Sequence, residues 1–282
     1  MQKIFNYNHD IEIRLEKALK VILKQSEKNY FKAGAVTHLH PFFVFYLNPD
    51  YSDYPLWSAA FLKEDTVLPS GYISEIESVF KMNNISLIRI YCQDDAGIVN
   101  NFKEAGYTVT LEKGYIWMPG YLKNSIDEVE KPEVELREVV SLEDWMDREQ
   151  IFDEMDFPDG KYYTAPIWNH FEKLKADIGV MTAYMIMHDE VNIGTLSTIL
   201  EGDFLRLKNL YIRKKFRQLG YATAVIQHFK LLILTRGLSG FGAFVIHNSL
   251  GMPAYSRIGM QWKVSQWECT RPTFQNEGSS PE

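Results

Sequence analysis

The stretch KKFRQLGYATAVIQHF, Lys214 to Phe229, decides how this chain is read. It follows a strongly apolar run, FLRLKNLYI (Phe204 to Ile212), and passes through a basic turn into a pattern with helical spacing. Arg217, Gly220 and Ala222 keep the spacing R-x-x-G-x-A, and Thr223 begins the helical pattern. A chain that only had to reverse could use any polar turn. Here side-chain bulk is withheld at Gly220 and Ala222, and the helix start points unpaired N–H groups outward. Free donors and a partial positive charge together make a place that suits a phosphate.

Working outward, 282 residues with 46% apolar and 14% aromatic content suit one large domain or two of ordinary size. Cys92 and Cys269 are too few and too far apart for a disulfide framework or a metal cluster, so a reducing, cytoplasmic setting without metal is expected. The opening MQKIFNYNHDIEIRLEKALKVILKQ lacks the basic start and apolar core of a secretory signal. No apolar run reaches the roughly 18 residues that span a bilayer, so no membrane partner is expected. A net charge of −7 argues against nucleic acid as the main partner.

The first segment reads as an amphipathic helix, with Ile11, Leu15, Ala18, Leu19, Ile22 and Leu23 at helical spacing. Strands are expected at Pro41 to Leu47, Leu56 to Leu62 and Ser86 to Cys92. A helix over SEIESVFKMN is expected to be capped by Ser74, a short helix to cover IVNNFKEAG, and a hairpin pair to cover Tyr107 to Met118. Lys123 to Glu135 is polar, mostly acidic and contains a proline, which makes it the linker candidate. Beyond it come a strand, Val134 to Val139, and a helix capped by Ser141 and Asp144. A second helix over APIWNHFEKLK leads into three strands joined by short turns, which should be antiparallel. The helix after the basic turn ends at Gly237; a strand, a short helix over GMPAYSRIG and a last strand follow.

SLIRIYCQDDAGIVNNFKEAGYTV and GFGAFVIHNSLGMPAYSRIGMQWKV share an order of elements, with Gly106 matching Gly259 and Phe102 matching Tyr255. That order points to a duplicated domain in which the first copy has no counterpart of the Arg217 to Ala222 turn.

From about Val134 to Thr270 the chain resembles the GNAT superfamily of acyl-CoA-dependent N-acyltransferases. The resemblance rests on LKNLYI, on RQLGYATAV in place of R-x-x-G-x-G/A, and on PAYSRIGM in place of Tyr-x-x-x-Gly-Phe. It implies an α/β (α+β mixed sheet) fold of two units, each a mostly antiparallel mixed sheet flanked by helices. Residues 1–122 would be a degenerate N-terminal domain, 123–133 a linker and 134–282 the catalytic domain.

The resemblance further implies acetyl-CoA as co-substrate, its pyrophosphate held by the amides of Gln218, Leu219, Gly220, Tyr221, Ala222 and Thr223, with Arg217 adding charge or bracing the loop. Main-chain groups of Leu210, Tyr211 and Ile212 would pair with the pantetheine arm in a gap between strands. Tyr255 matches the family's general acid, and Asn248 is a candidate cofactor contact or turn cap. Many relatives carry a glutamate on the strand before the phosphate loop; here Arg206, Lys208 and Asn209 stand there. Other candidate bases are His247, Glu154 and Asp156, while a water relay or a neutral amine would need none; His188 reads as an exposed hairpin residue. The expected partner is a small-molecule amine, met by a monomer or homodimer. Trp145, Phe157, Tyr162, Tyr163 and Trp168 crowd the segment expected to wall its pocket, although aromatics at helical spacing also build cores. The alternative is a non-catalytic acyl-CoA-binding or sensing protein. A P-loop reading fails for want of Gly-Lys-Ser/Thr.

Overall fold

The computed structural model describes residues 2–51, 57–64, 66–119, 132–155, 164–249 and 251–273, with side chains described from residue 13 onward. Its helices are α1 (Gln2–Lys32), α2 (Tyr72–Met82), α3 (Ala96–Glu104), α4 (Leu142–Phe152), α5 (Ala165–Asp177), α6 (Tyr221–Arg236) and α7 (Met252–Arg257). Its strands are β1 (Val36–Leu39), β2 (Phe43–Leu47), β3 (Ala59–Leu62), β4 (Leu87–Gln93), β5 (Thr108–Trp117), β6 (Glu135–Glu138), β7 (Thr182–His188), β8 (Val191–Glu201), β9 (Phe204–Ile212), β10 (Gly240–Ile246) and β11 (Gln261–Pro272).

The chain folds as two compact units. Unit 1 is Met1–Tyr30, Lys113–Pro158 and Thr164–Val264; unit 2 is Phe31–Glu112, Asp159–Tyr163 and Ser265–Glu282. These are not the consecutive segments 1–122 and 134–282. In unit 1, α1 buries Leu19 and Leu23 among Phe204, Val225, Phe229 and Phe241, and β5 lies beside β10. In unit 2, Gln266 to Pro272 of β11 run antiparallel to Gln93 to Leu87 of β4. The last strand of each sequence half thus supplies a strand to the other unit's sheet. Residues 120–131, most of the expected linker, lie outside the described residues, as do Asp156, Phe157, Tyr162 and Tyr163.

The strands of unit 1 follow the order β5-β10-β9-β8-β7-β6. β6, β7, β8 and β9 pair antiparallel in turn, and β10 runs parallel to β9. Asp189 and Glu190, with φ of 47° and 63°, close the β7–β8 hairpin in the left-handed conformation that suits a right-twisted ribbon. β8 is buried on both faces. Its Leu196 joins the apolar cluster of α6, whereas Thr195 and Ser197 meet Arg148 of α4. Since alternate strand residues face opposite ways, α6 covers one face and α4 with α5 the other. Ser141 and Asp144 form the expected capping box at the start of α4.

Unit 2 has the strand order β1-β2-β3-β4-β11, with β3 and β4 parallel and the other pairings antiparallel. Phe45, Phe80, Phe102, Tyr107 and Cys269 lie in its core. Three local expectations are corrected here. β5 is one continuous strand, not a hairpin, because no turn interrupts its ten residues. β1 was not anticipated; its four residues are all exposed and carry no buried pattern. Ser74 does not cap α2, which begins at Tyr72 behind Gly71. The two stretches matched in the sequence share a backbone feature: Gly106 after α3 and Gly259 after α7 both sit at φ 82°. Phe102 and Tyr255, the matched aromatics, are both buried, at 0% and 7% exposure.

Candidate functional site

Among the described residues β9 and β10 pair through three positions, Phe204 with Gly240, Leu205 with Phe241 and Arg206 with Gly242. β9 continues to Ile212 and β10 to Ile246, so from Leu207 onward the β10-facing edge of β9 has no strand partner among the described residues. On its other edge β9 stays paired to β8, with Tyr211 opposite Thr195 and Ile212 opposite Gly194. A register shift between Thr195 and Ser197 puts Asn209 at φ 54°, a bulge that re-aims the strand where the gap opens. Gly194 is required there, since a Cβ at that position would stand 2.3 Å from the Tyr211 carbonyl oxygen. The unpaired edge of β9 runs past Leu210, Tyr211 and Ile212; the Tyr211 carbonyl points to β8 at Gly194, and the Ile212 carbonyl accepts from Arg217 Nε.

The turn that follows is built for open amides. A short 3-10 turn spans Lys214–Phe216, Gln218 stands at φ 63°, and Gly220 at φ 89° is the N-cap of α6 with no side-chain cap. A residue with a Cβ would be strained at Gly220, and that Cβ would also touch Pro132 Cδ at 3.4 Å. Among the described residues, none accepts a hydrogen bond from the amides of Gln218 through Thr223; the helix's first backbone bond is Ala224 N–H to Gly220 O, 3.0 Å. Arg217 braces the turn: its Nε donates to Ile212 O at 3.0 Å and its guanidinium lies 4.9 Å from the centre of the Tyr211 ring. Tyr221 is buried, with His188 at 4.9 Å and Phe216 at 6.1 Å between ring centres. His188 is half-buried beside Tyr221 at the helix start and is not the exposed hairpin residue expected.

Tyr255 is buried on α7 and stacks on Tyr115 at 5.9 Å. It shares its cluster with Val245, a β10 residue beyond the last pair with β9. No partner holds its hydroxyl among the described residues, and burial pushes its pKa up from the ordinary 10.0, so the phenol keeps its proton at neutral pH. Asn248, exposed and at φ 63°, donates its N–H to Met252 Sδ at 3.0 Å in the turn before α7. His247 is half-buried, and its Nδ1 has no hydrogen-bond partner among the described residues. Glu154 is already engaged: it takes Arg213 Nε at 2.6 Å and Lys214 N–H at 3.3 Å, while its carbonyl accepts the Tyr211 hydroxyl at 2.7 Å. It is a clamp between the end of α4 and the end of β9.

One buried polar cluster was missed in the sequence. Arg148 and Glu172 form a fully buried ion pair, extended by Arg148 Nε to Thr195 Oγ1 at 2.8 Å, Arg148 Nη2 to Ser197 Oγ at 2.8 Å and Ser197 Oγ to Glu172 Oε2 at 2.7 Å. Asn209 donates to the other oxygen of Glu172. A carboxylate therefore does reach the β9 bulge, from α5 and not from the strand. The available signal was Arg148 at core spacing with Trp145, Ile151 and Phe152.

Unit 2 retains the turn in outline, which corrects the expectation that the first copy lacks it. Gly71 at φ 84° is the N-cap of α2 and is followed by a buried Tyr72, as Gly220 is followed by Tyr221. A cavity of about 570 Å³ adjoins this helix start; among the described residues it is lined by Ser70, Gly71, Asp95 and Asn101 with others, none of them lysine or arginine. Asp95 spends its carboxylate on capping α3, 2.8 Å from the Gly97 N–H. Among the described residues no helix is long and apolar enough to cross a membrane, and no group of three metal-ligating side chains occurs.

No family model matches this chain, and no curated protein matches it by sequence. Solved structures do match its fold. A conserved protein of unknown function from Staphylococcus epidermidis aligns at 13% identity and TM-score 0.67, over 84% of this chain and 94% of that one. A GCN5-related N-acetyltransferase from Kribbella flavida aligns at 15% identity and TM-score 0.58, over 87% and 93%. A tandem GNAT protein from the clavulanic acid biosynthesis pathway aligns at 10% identity and TM-score 0.52, over 84% and 80%. The parted parallel strands, the bulge and the glycine-started helix of unit 1 are thus set in the fold of the GNAT acetyltransferases, in its tandem form.

Proposed function

We propose that the protein is an N-acetyltransferase that moves an acetyl group from acetyl-CoA to the amine of a small molecule. The observation that carries this reading is β9 leaving its parallel partner after Arg206 and running into a helix start whose first amides have no acceptor among the described residues. The amides of Gln218 to Thr223 suit a pyrophosphate, and the stretch of β9 edge that runs past Leu210 and Tyr211 to Ile212 beyond its last pair with β10 suits the amide-bearing pantetheine arm. When bound, the thioester supplies an activated acyl group. Tyr255, protonated and unbonded, serves as the acid that returns a proton to the departing sulfur. Asn248 and Arg217 shape the two ends of the binding strip. No dedicated base is assigned, because Glu154 and Glu172 are both consumed by arginine. An amine that arrives neutral, or one relayed through water, fits these surroundings.

The second reading is a non-catalytic acyl-CoA-binding protein, favoured by that absence of an uncommitted carboxylate on β9. Thiol release from acetyl-CoA, followed across a panel of small amines, separates the two. Amine-dependent release supports the enzyme; tight binding with no release for any amine supports the sensor.

A further inference from the structure

Along β9 the apolar positions change step. Leu205 and Leu207 belong to the apolar cluster of α6, and Leu210 and Ile212 pack into it as well, two odd positions followed by two even ones. Side chains on a regular strand alternate between faces, so one extra residue must stand between Leu207 and Leu210. The pairing with β8 shows it: Lys208 lies opposite Ser197 and Tyr211 opposite Thr195, which leaves both Asn209 and Leu210 to face Leu196. The extra residue also decides which way the main chain turns beyond it. Tyr211 turns its carbonyl to β8, and Arg213 N–H donates to Ile193 O at 2.9 Å. Ile212, between them, turns its carbonyl the other way, to Arg217 Nε at 3.0 Å. Continued from Lys208 without the extra residue, the register would set Ile212 opposite Ile193 and turn that carbonyl to β8. Arg217 would then lose the acceptor that braces the turn before α6.

The apolar side chains demand the extra residue but do not hold it. Asn209 stands at φ 54°, a left-handed conformation that asparagine tolerates better than most residues with a side chain. Its amide donates to one oxygen of Glu172, whose other oxygen accepts from Ser197 Oγ at 2.7 Å and from Arg148. Arg148 Nε in turn reaches Thr195 Oγ1 at 2.8 Å. The two β8 residues that flank Leu196 and the β9 residue that bulges against it are thus tied to one ion pair, with no exposure of either charged side chain. Apolar side chains would pack α4 on α5 without a buried ion pair, but they could not hold the Asn209 amide.

We propose that Asn209, anchored by Glu172 and through it by Arg148, is a positioning residue for the acyl-CoA strip. It fixes the place of the extra residue in β9, and with it the direction of the Ile212 carbonyl and the seat of Arg217 against the turn before α6. This rests on the acyl-transfer reading and names residues that shape the cofactor strip without touching the cofactor.

The test uses the 282-residue protein, with acetyl-CoA as the probe in calorimetry and nuclear Overhauser contacts between Tyr211 and Thr195 as a readout that needs no ligand. Asn209→Val, whose branched side chain opposes a positive φ, should weaken acetyl-CoA binding by about tenfold or more and diminish the Tyr211–Thr195 contacts. Arg148→Leu with Glu172→Leu, which removes the anchor and strands no charge, should do the same. Adding Asn209→Gly to that pair should return binding to within about threefold of the unsubstituted protein and restore the contacts, because glycine takes a positive φ freely. The urea midpoint should stay where the pair left it, since glycine adds no contact. A loss of binding that follows the urea midpoint and that glycine does not rescue, or unchanged binding and contacts in Asn209→Val, overturns the proposal. No acetyl-CoA binding by the unsubstituted protein overturns the acyl-transfer reading and the positioning role with it, whatever the contacts show.

Discussion

Arg148 of α4 and Glu172 of α5 form an ion pair with no exposure of either side chain, and the same carboxylate holds Asn209 at the β9 bulge. Removing one partner of such a pair strands a charge in the core. Glu172→Ala should cost about 3–5 kcal/mol in denaturant unfolding. The paired substitution Arg148→Leu with Glu172→Leu should recover most of that loss, because the stranded charge goes with it. Equal destabilisation of the single and double variants would show that the hydroxyl and bulge bonds, not the ion pair, carry the energy.

Tyr255→Phe keeps the ring stacked on Tyr115 and deletes only the hydroxyl. Turnover should fall by about 10²–10⁴-fold, the range of a lost general acid, while acetyl-CoA affinity stays within about twofold. Steady-state kinetics beside calorimetry reads both. Unchanged turnover removes Tyr255 from the mechanism.

Arg217→Ala should weaken acetyl-CoA binding by about tenfold without changing the unfolding midpoint, since one hydrogen bond to Ile212 and a ring contact hold the turn against β9. Unchanged affinity would mean that Gly220 and the helix start shape the turn alone.

Lys175 gives stability a pH dependence of known sign. Its folded pKa, lowered to about 8 by burial and then by Lys208, lies below the ordinary 10.5, so between these values the unfolded chain binds the extra proton. Stability should therefore rise with pH from about 8 toward 10, with a slope of at most about 1.4 kcal/mol per pH unit from this group. Lys175→Met should flatten the rise in urea midpoint over that window. A curve identical to that of the unsubstituted protein would show Lys175 to be no more burdened folded than unfolded.

Legibility in the sequence followed the range of the interactions. The α6 start was readable because Gly220 and Ala222 act within one turn, and Gly106 with Gly259 marked a duplication that the matching φ of 82° supports. The exchange of β5 and β11 was not readable. Strand partnership across more than 150 residues depends on which edges remain open, and β11 carries no mark that names β4 as its partner. Glu172 was passed over because a lone glutamate on a helix reads as a solvated charge; only the packing of α4 on α5 brings it to Arg148 and Asn209. The turn at Gly71 escaped because its R-x-x-G-x-A spacing is gone while the glycine-tyrosine pair and the left-handed backbone persist.

The most direct measurement is calorimetric titration of the protein with acetyl-CoA beside Gly220→Glu. The substitution places a carboxylate at a left-handed position of φ 89°, costing about 1–2 kcal/mol of backbone strain and setting like charge against the pyrophosphate. Micromolar binding by the unsubstituted protein, lost in a Gly220→Glu variant that still unfolds cooperatively, is the predicted result. No heat and no thermal shift with acetyl-CoA would contradict it, and would mean that the parted strands and the glycine-started helix persist without the ligand they suit.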